Sequence, residues 1–149
     1  MGDSENLKSV LKGLALIFSL SLSSCSDDVP RKATATENVT VLSQEFEIKS
    51  LERKRKVRIY LPTDYRNSDR RYSVLYMHDG QNLFDLNTSF GAEWEVDESL
   101  NTLFAQGDPG VIVVGIDNGG ADRIKEYTPW PNPTYGGGDG EAYVDFIVE

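Results

Sequence analysis

Hydrophobic and polar positions change their spacing several times along the chain. Residues 45–49 (EFEIK) alternate charged and apolar side chains, as do residues 57–61 (VRIYL). A period of two belongs to a strand with one wet face, and the charged ERKRK between the two segments predicts a solvated hairpin turn. Two later runs, 73–77 (SVLYM) and 111–116 (VIVVGI), are apolar without alternation, which predicts strands covered on both faces. Between them, residues 95–106 (EVDESLNTLFAQ) place Val96, Leu100, Leu103 and Phe104 on one helical stripe, with acids in the first turn and Gly107 as the stop. Two buried strands joined by such a helix form a right-handed crossover with a parallel pair. A hairpin followed by a parallel unit predicts a mixed α/β sheet.

The segment 117–140 (DNGGADRIKEYTPWPNPTYGGGDG) is rich in Gly, Pro and aromatic residues and reads as a long functional surface loop. Helical spacing resumes at 141–149 (EAYVDFIVE), with Tyr143, Phe146 and Ile147 on one side. That pattern has no closing Gly, Pro or basic last turn, so the sequence is expected to be cut rather than finished there.

The beginning of the chain differs in kind. Residues 14–22 (LALIFSLSL) are too short to cross a bilayer comfortably but suit the core of a signal peptide. They run into Leu22-Ser23-Ser24-Cys25, which resembles a bacterial lipobox. The chain has one cysteine, so no internal disulfide is available, and Cys25 is the expected lipidation site. The small, polar residues that follow read as a tether. The expected organisation is a lipoprotein signal peptide over 1–24, a polar tether over 25–42 and a domain from 43 to 149. Location in the bacterial cell envelope follows, with the membrane reached through the lipid on Cys25.

The formal net charge of -9 disfavours nucleic acid as a partner. Neither a metal nor a cofactor is expected. His78, Asp79 and Asp85 supply one imidazole and two loop acids, a weak ligand set, and GGGDG lacks the Lys-Ser/Thr of a phosphate-binding loop. Trp130 and Tyr135 offer faces that could stack on a sugar or an aromatic acyl group, or simply pack a surface loop.

Three segments, YMHDGQNLFD at 76–85, IDNGGADRIKEYTP at 116–129 and GGGDGEAYVDFIVE at 136–149, resemble the esterase D and enterochelin esterase-like branch of the α/β-hydrolases. The resemblance implies the N-terminal part of an α/β-hydrolase three-layer sandwich, incomplete, with 73–77 as its third strand, 111–116 as its fourth and 141–149 as the helix before its fifth. Such enzymes carry their nucleophile on a G-x-S-x-G elbow after the fifth strand, with the acid and the histidine further on. No G-x-S-x-G occurs in the chain, so the catalytic triad is expected beyond residue 149 and the chain alone is expected to be inactive.

His78, the single histidine, then precedes the nucleophile and is not the triad base. The resemblance places His78, Asp79, Gly80 and Gln81 in the loop that donates a backbone N–H to the oxyanion hole. It also places Arg123, Glu126 and Tyr127 in a segment beside the site, and with Trp130 after them they make the candidate substrate loop. The implied activity is serine carboxylic ester hydrolysis of acyl esters of sugars or polysaccharides, siderophores or related small esters. The alternative is a non-catalytic surface lipoprotein that binds carbohydrate or a protein partner. Self-association of the sheet is expected where 73–77 lacks a neighbour.

Overall fold

The computed structural model describes residues 31–149; the expected signal peptide, Cys25 and the first part of the expected tether lie outside the described residues. Among the described residues six strands appear in chain order: β1 (Val39–Val41), β2 (Phe46–Ile48), β3 (Arg53–Arg55), β4 (Val57–Tyr60), β5 (Ser73–His78) and β6 (Val111–Ile116). Helix α1 (Val96–Ala105) lies between β5 and β6, and α2 (Arg123–Tyr127) and α3 (Gly140–Val148) follow. The main sheet has the order β1-β4-β6-β5. β4 runs antiparallel to both β1 and β6, and β5 runs parallel to β6, with Ser73 opposite Val111 and His78 opposite Ile116. The predicted crossover is therefore present, with α1 spanning it.

The hairpin differs from its prediction. β2 pairs with β3, Phe46 opposite Arg55 and Ile48 opposite Arg53, in a separate two-stranded sheet. The turn falls at 49–52, where Glu52 takes the left-handed conformation (φ 52). The basic run is thus a strand and not a solvated turn. Residues two apart on a strand share a face, so Arg53 and Arg55 point together at acids far along the chain. Both guanidiniums meet the Glu126 carboxylate, Arg53 Nη1 at 3.0 Å and Arg55 more closely, and Arg53 also reaches Asp139 at 2.9 Å.

β4 is covered on both faces in spite of its alternation: Val57, Arg58 and Tyr60 are all buried. Arg58 can be buried because Asp117 accepts two of its N–H groups, at 2.7 and 3.0 Å. The tether reading does not hold from residue 39 onward, since β1 extends the sheet beside β4. Upstream of β1, Thr36 donates from both its N–H and its hydroxyl to buried Asp97 in the first turn of α1, each at 2.8 Å.

The core contains Tyr60, Leu83, Phe84 and Val113, with Val96 and Leu100 of α1 packed against it. Each such side chain stabilises the fold by about 1.5–3 kcal/mol through burial. β6, internal to the sheet, is covered on both faces as its apolar run predicted, with Val113 on one face and Ile116 on the other nearly inaccessible. β5 is not. Val74, Leu75 and Tyr76 are exposed, because β5 is the edge of the sheet among the described residues. The long loop also has more structure than expected, since α2 and a bridge between Asn132 and Gly136 interrupt it.

Glu126 is the internal end of the Arg53–Arg55 cluster, with its side chain fully inaccessible. Removing one member of a buried ion pair strands the others in low dielectric. Glu126→Ala is expected to destabilise the fold by about 3 kcal/mol, read as a lowered midpoint in chemical denaturation. A change within about 0.5 kcal/mol would show the cluster to be a solvated surface group.

Candidate active site

The site forms where β5 ends. Asp79 follows His78 in the left-handed conformation, φ 55 and ψ 43, which turns the chain sharply into one 3₁₀ turn, Gly80–Asn82. The first bond of that turn runs from the Asn82 N–H to the Asp79 carbonyl at 2.8 Å. The N–H groups of Gly80 and Gln81 precede it and are left free of the turn's own bonding. Gly80 is required by proximity. A Cβ there would lie 2.7 Å from the Gly115 carbonyl carbon and 2.8 Å from Asp117 Oδ1, closer than real side chains come.

Left-handed geometry is uncommon for a residue with a Cβ and is tolerated best by Asp and Asn. Here the Asp79 carboxylate is also held from outside. Arg123 donates to both oxygens, Nε to Oδ1 at 2.8 Å and Nη2 to Oδ2 at 2.7 Å. Asn118 Nδ2 donates to Oδ1 at 2.6 Å, and the Tyr127 hydroxyl is 3.4 Å away. The Arg123 hydrogen bonds are the largest cause holding the Asp79 carboxyl below its ordinary range, ahead of the opposing effect of burial.

Gln81 is tied from both ends: its Oε1 accepts from the Asn118 N–H at 3.1 Å, and its carbonyl accepts from Thr88 Oγ1 at 2.8 Å. Asn118 therefore bonds to Asp79 and Gln81 at once. Asp117 beside it is fixed by Arg58, which also donates to Thr88 Oγ1 at 3.2 Å.

His78 is held differently. Its Nδ1 shares a hydrogen bond with the Tyr143 hydroxyl at 3.1 Å. Its ring packs against Tyr127 and Tyr143, with centroids 4.9 and 5.6 Å away. Burial pushes both phenols up from their ordinary range, with a further push on Tyr127 from the Asp79 charge. These rings, with Pro129, Val144 and Ile147, line an open, largely apolar groove of about 640 Å³ beside the turn.

The candidates from the second loop separate. Arg123 and Tyr127 join the Asp79 cluster, the Arg123 guanidinium lying 4.9 Å from the Tyr127 ring centre. The Glu126 side chain is occupied by Arg53 and Arg55 instead. Trp130 and Tyr135 are 75% and 70% exposed, and the contacts that join the 78–81 turn to Arg123 and Tyr127 do not include them. Asp85 caps a loop, accepting from the N–H groups of Thr34 and Asn87 at 3.2 and 2.9 Å.

Four residues that bind the site together, Arg58, Asp117, Asn118 and Tyr143, were not singled out from the sequence as site residues. For Asp117 and Asn118 the signal was present in the IDNGG segment. For Arg58 no local signal exists, since an Arg in an alternating strand reads as solvated.

Comparison with known proteins agrees with the geometry. The family model described as "Putative esterase" matches residues 48–149. The chain is similar to an IroE-like serine hydrolase from Shewanella oneidensis, at 29% identity and a TM-score of 0.55, over 74% of this chain and 36% of that one. It is also similar in fold to the BES protein from Bacillus cereus, at 17% identity and a TM-score of 0.58, over 78% of this chain and 45% of that one. The chain thus spans less than half the length of either. No curated protein shows significant similarity. The mixed sheet is that of the α/β-hydrolase fold, and the family match covers most of the chain: it belongs to the Putative esterase family.

Proposed function

We propose that these residues supply the oxyanion side of a serine carboxylic ester hydrolase, and that the nucleophile, acid and base come from chain beyond Glu149. The carrying observation is the turn at 79–82, where two backbone N–H groups precede the first bond of the turn and the backbone is pressed against β6 by Gly80. An acyl ester attacked by a serine develops negative charge on its carbonyl oxygen, and N–H dipoles fixed in advance stabilise it without reorganising. The length of the similar hydrolase and its name support the same reading. Acyl esters of sugars, siderophores or related small molecules are the proposed substrates, with the His78–Tyr127–Tyr143 groove as a wall of the site. Export and lipid attachment at Cys25, giving an envelope location, belong to the same proposal.

The test is kinetic and uses the full gene product. Reading the gene past codon 149 is expected to reveal G-x-S-x-G followed by an acid and a histidine. The full product is expected to hydrolyse p-nitrophenyl acetate in a manner blocked by a serine-directed phosphonate. Gly80→Ala, which must push the turn off Gly115, is expected to lower kcat by on the order of 10²–10³ with little change in KM. Full activity in a folded Gly80→Ala variant would remove the turn from the mechanism.

Asp79 is a positioning residue in this scheme. Its lowered carboxyl pKa contributes stability that is present above the ordinary carboxylate value and lost as pH falls through the lowered one. Asp79→Asn keeps the left-handed preference but gives up the charge. It is expected to cost about 0.5–1 kcal/mol at neutral pH, a modest figure because Arg123 is half open to solvent. It is also expected to flatten the acid limb of the stability profile. An unchanged acid limb in thermal melts would show that the pairing does not brace the turn.

A further inference from the structure

Two acids stand at the turn that holds Gly80 and Gln81, and each meets a guanidinium. Asp79 precedes the turn and pairs with Arg123, whose side chain is half open to solvent. Asp117 lies behind it, on the chain leaving β6. A Cβ on Gly80 would lie 2.8 Å from Asp117 Oδ1, so a carboxylate oxygen rests against the backbone of that residue. The same oxygen accepts from Arg58 Nε at 2.7 Å, while Oδ2 accepts from Arg58 Nη2 at 3.0 Å. The Arg58 and Asp117 side chains are largely enclosed, 8% and 16% exposed. The remaining arm of the guanidinium, Nη1, donates to the Thr88 hydroxyl at 3.2 Å, and that hydroxyl donates to the Gln81 carbonyl at 2.8 Å. One cation from β4 is thus joined to both residues of the turn.

We infer that Arg58 is a positioning residue for ester hydrolysis, cancelling the Asp117 charge behind the oxyanion turn and fixing the Gln81 carbonyl through Thr88. The inference rests on the assignment of that turn to the oxyanion hole. A carboxylate in water is screened, but one enclosed between β4 and the turn is not. Left alone, the Asp117 charge would stand next to the residue whose N–H is proposed to hold the oxyanion. It would raise the energy of the transition state that the N–H groups lower. Arg58 is the cation paired with Asp117 among the described residues, and its grip on both carboxylate oxygens places the opposite charge where it cancels best. Of the two ion pairs at the turn, this one has the larger electrostatic effect, because its guanidinium is the less solvated. The pair is formed by direct contact between described residues, so it does not depend on what covers the outer surface of the sheet.

The test uses the full gene product, with hydrolysis of p-nitrophenyl acetate and its block by a serine-directed phosphonate as the reference. Arg58→Gln strands Asp117 without a counter-charge and is expected to lower kcat by roughly tenfold or more, with KM within about twofold. Adding Asp117→Asn removes the stranded charge. The double variant is expected to be about fivefold or more faster than Arg58→Gln, although both members of the pair are then gone. A pair that only braces the fold gives the opposite order, with the double variant no faster than the single one. Arg58→Lys keeps the charge without the bidentate bond, and it is expected to hold kcat within about threefold of the parent even where its thermal midpoint falls.

A folded Arg58→Gln with the parental kcat, or a double variant no faster than Arg58→Gln, overturns the inference while leaving the turn in place. So does a folded Arg58→Lys slowed by about tenfold, and where Arg58→Gln does not fold, the Arg58→Lys rate decides. A parent without phosphonate-sensitive hydrolysis overturns the esterase reading and this inference with it.

Discussion

A single carboxylate holds the candidate site in shape. Asp79 occupies a backbone conformation that side-chain-bearing residues seldom adopt, directly after the last residue of β5, and its oxygens accept hydrogen bonds from Arg123 and Asn118. Those donors lie on the segment after β6, so the bond set joins the ends of two parallel neighbours, β5 and β6, at the carboxyl edge of the sheet. The consequence is local and directional: the chain turns within one residue, Gly80 is driven against Gly115, and the next N–H groups emerge ahead of the turn's first hydrogen bond.

A second tier of buried charge supports the first. Arg58 crosses from β4 to Asp117, adjacent to Asn118, and also reaches Thr88, which bonds the Gln81 carbonyl. Arg53 and Arg55 hold Glu126, three residues after Arg123 on α2. The sheet strands and the loop residues that touch Asp79 are thus held by separate ion pairs. Losing either pair would loosen the donors around Asp79 before it unfolded the core of Tyr60, Leu83, Phe84 and Val113. The cost of burying so many charges is met only because each guanidinium faces a carboxylate.

Local pattern was enough for the elements whose apolar positions face one core. The helix α1, the strand β6 and the helix α3 all appear where periodicity put them, although of the α1 stripe Val96 and Leu100 pack on the core while Leu103 is exposed. Pattern failed where long-range charge pairing decided the structure. The basic run at 53–55 became a strand because its partners, Glu126 and Asp139, lie 71 to 86 residues on. The alternating residues of β4 became a buried strand because Asp117 neutralises Arg58. β1 and α2 are too short to show a period. The 78–81 turn lies in one of the segments through which the family was legible. The role of Asn118 was not, since a cross-loop amide carries no local signature.

The most direct measurement is a crystal structure of the full gene product with a phosphonate bound to its serine. The N–H of Gly80 or Gln81 is expected about 2.7–3.1 Å from the phosphonyl oxygen that stands for the oxyanion, with the Asp79–Arg123 pair intact behind it. A phosphonyl oxygen bound elsewhere, with both N–H groups turned to protein acceptors, would contradict the assignment of this turn to the oxyanion hole.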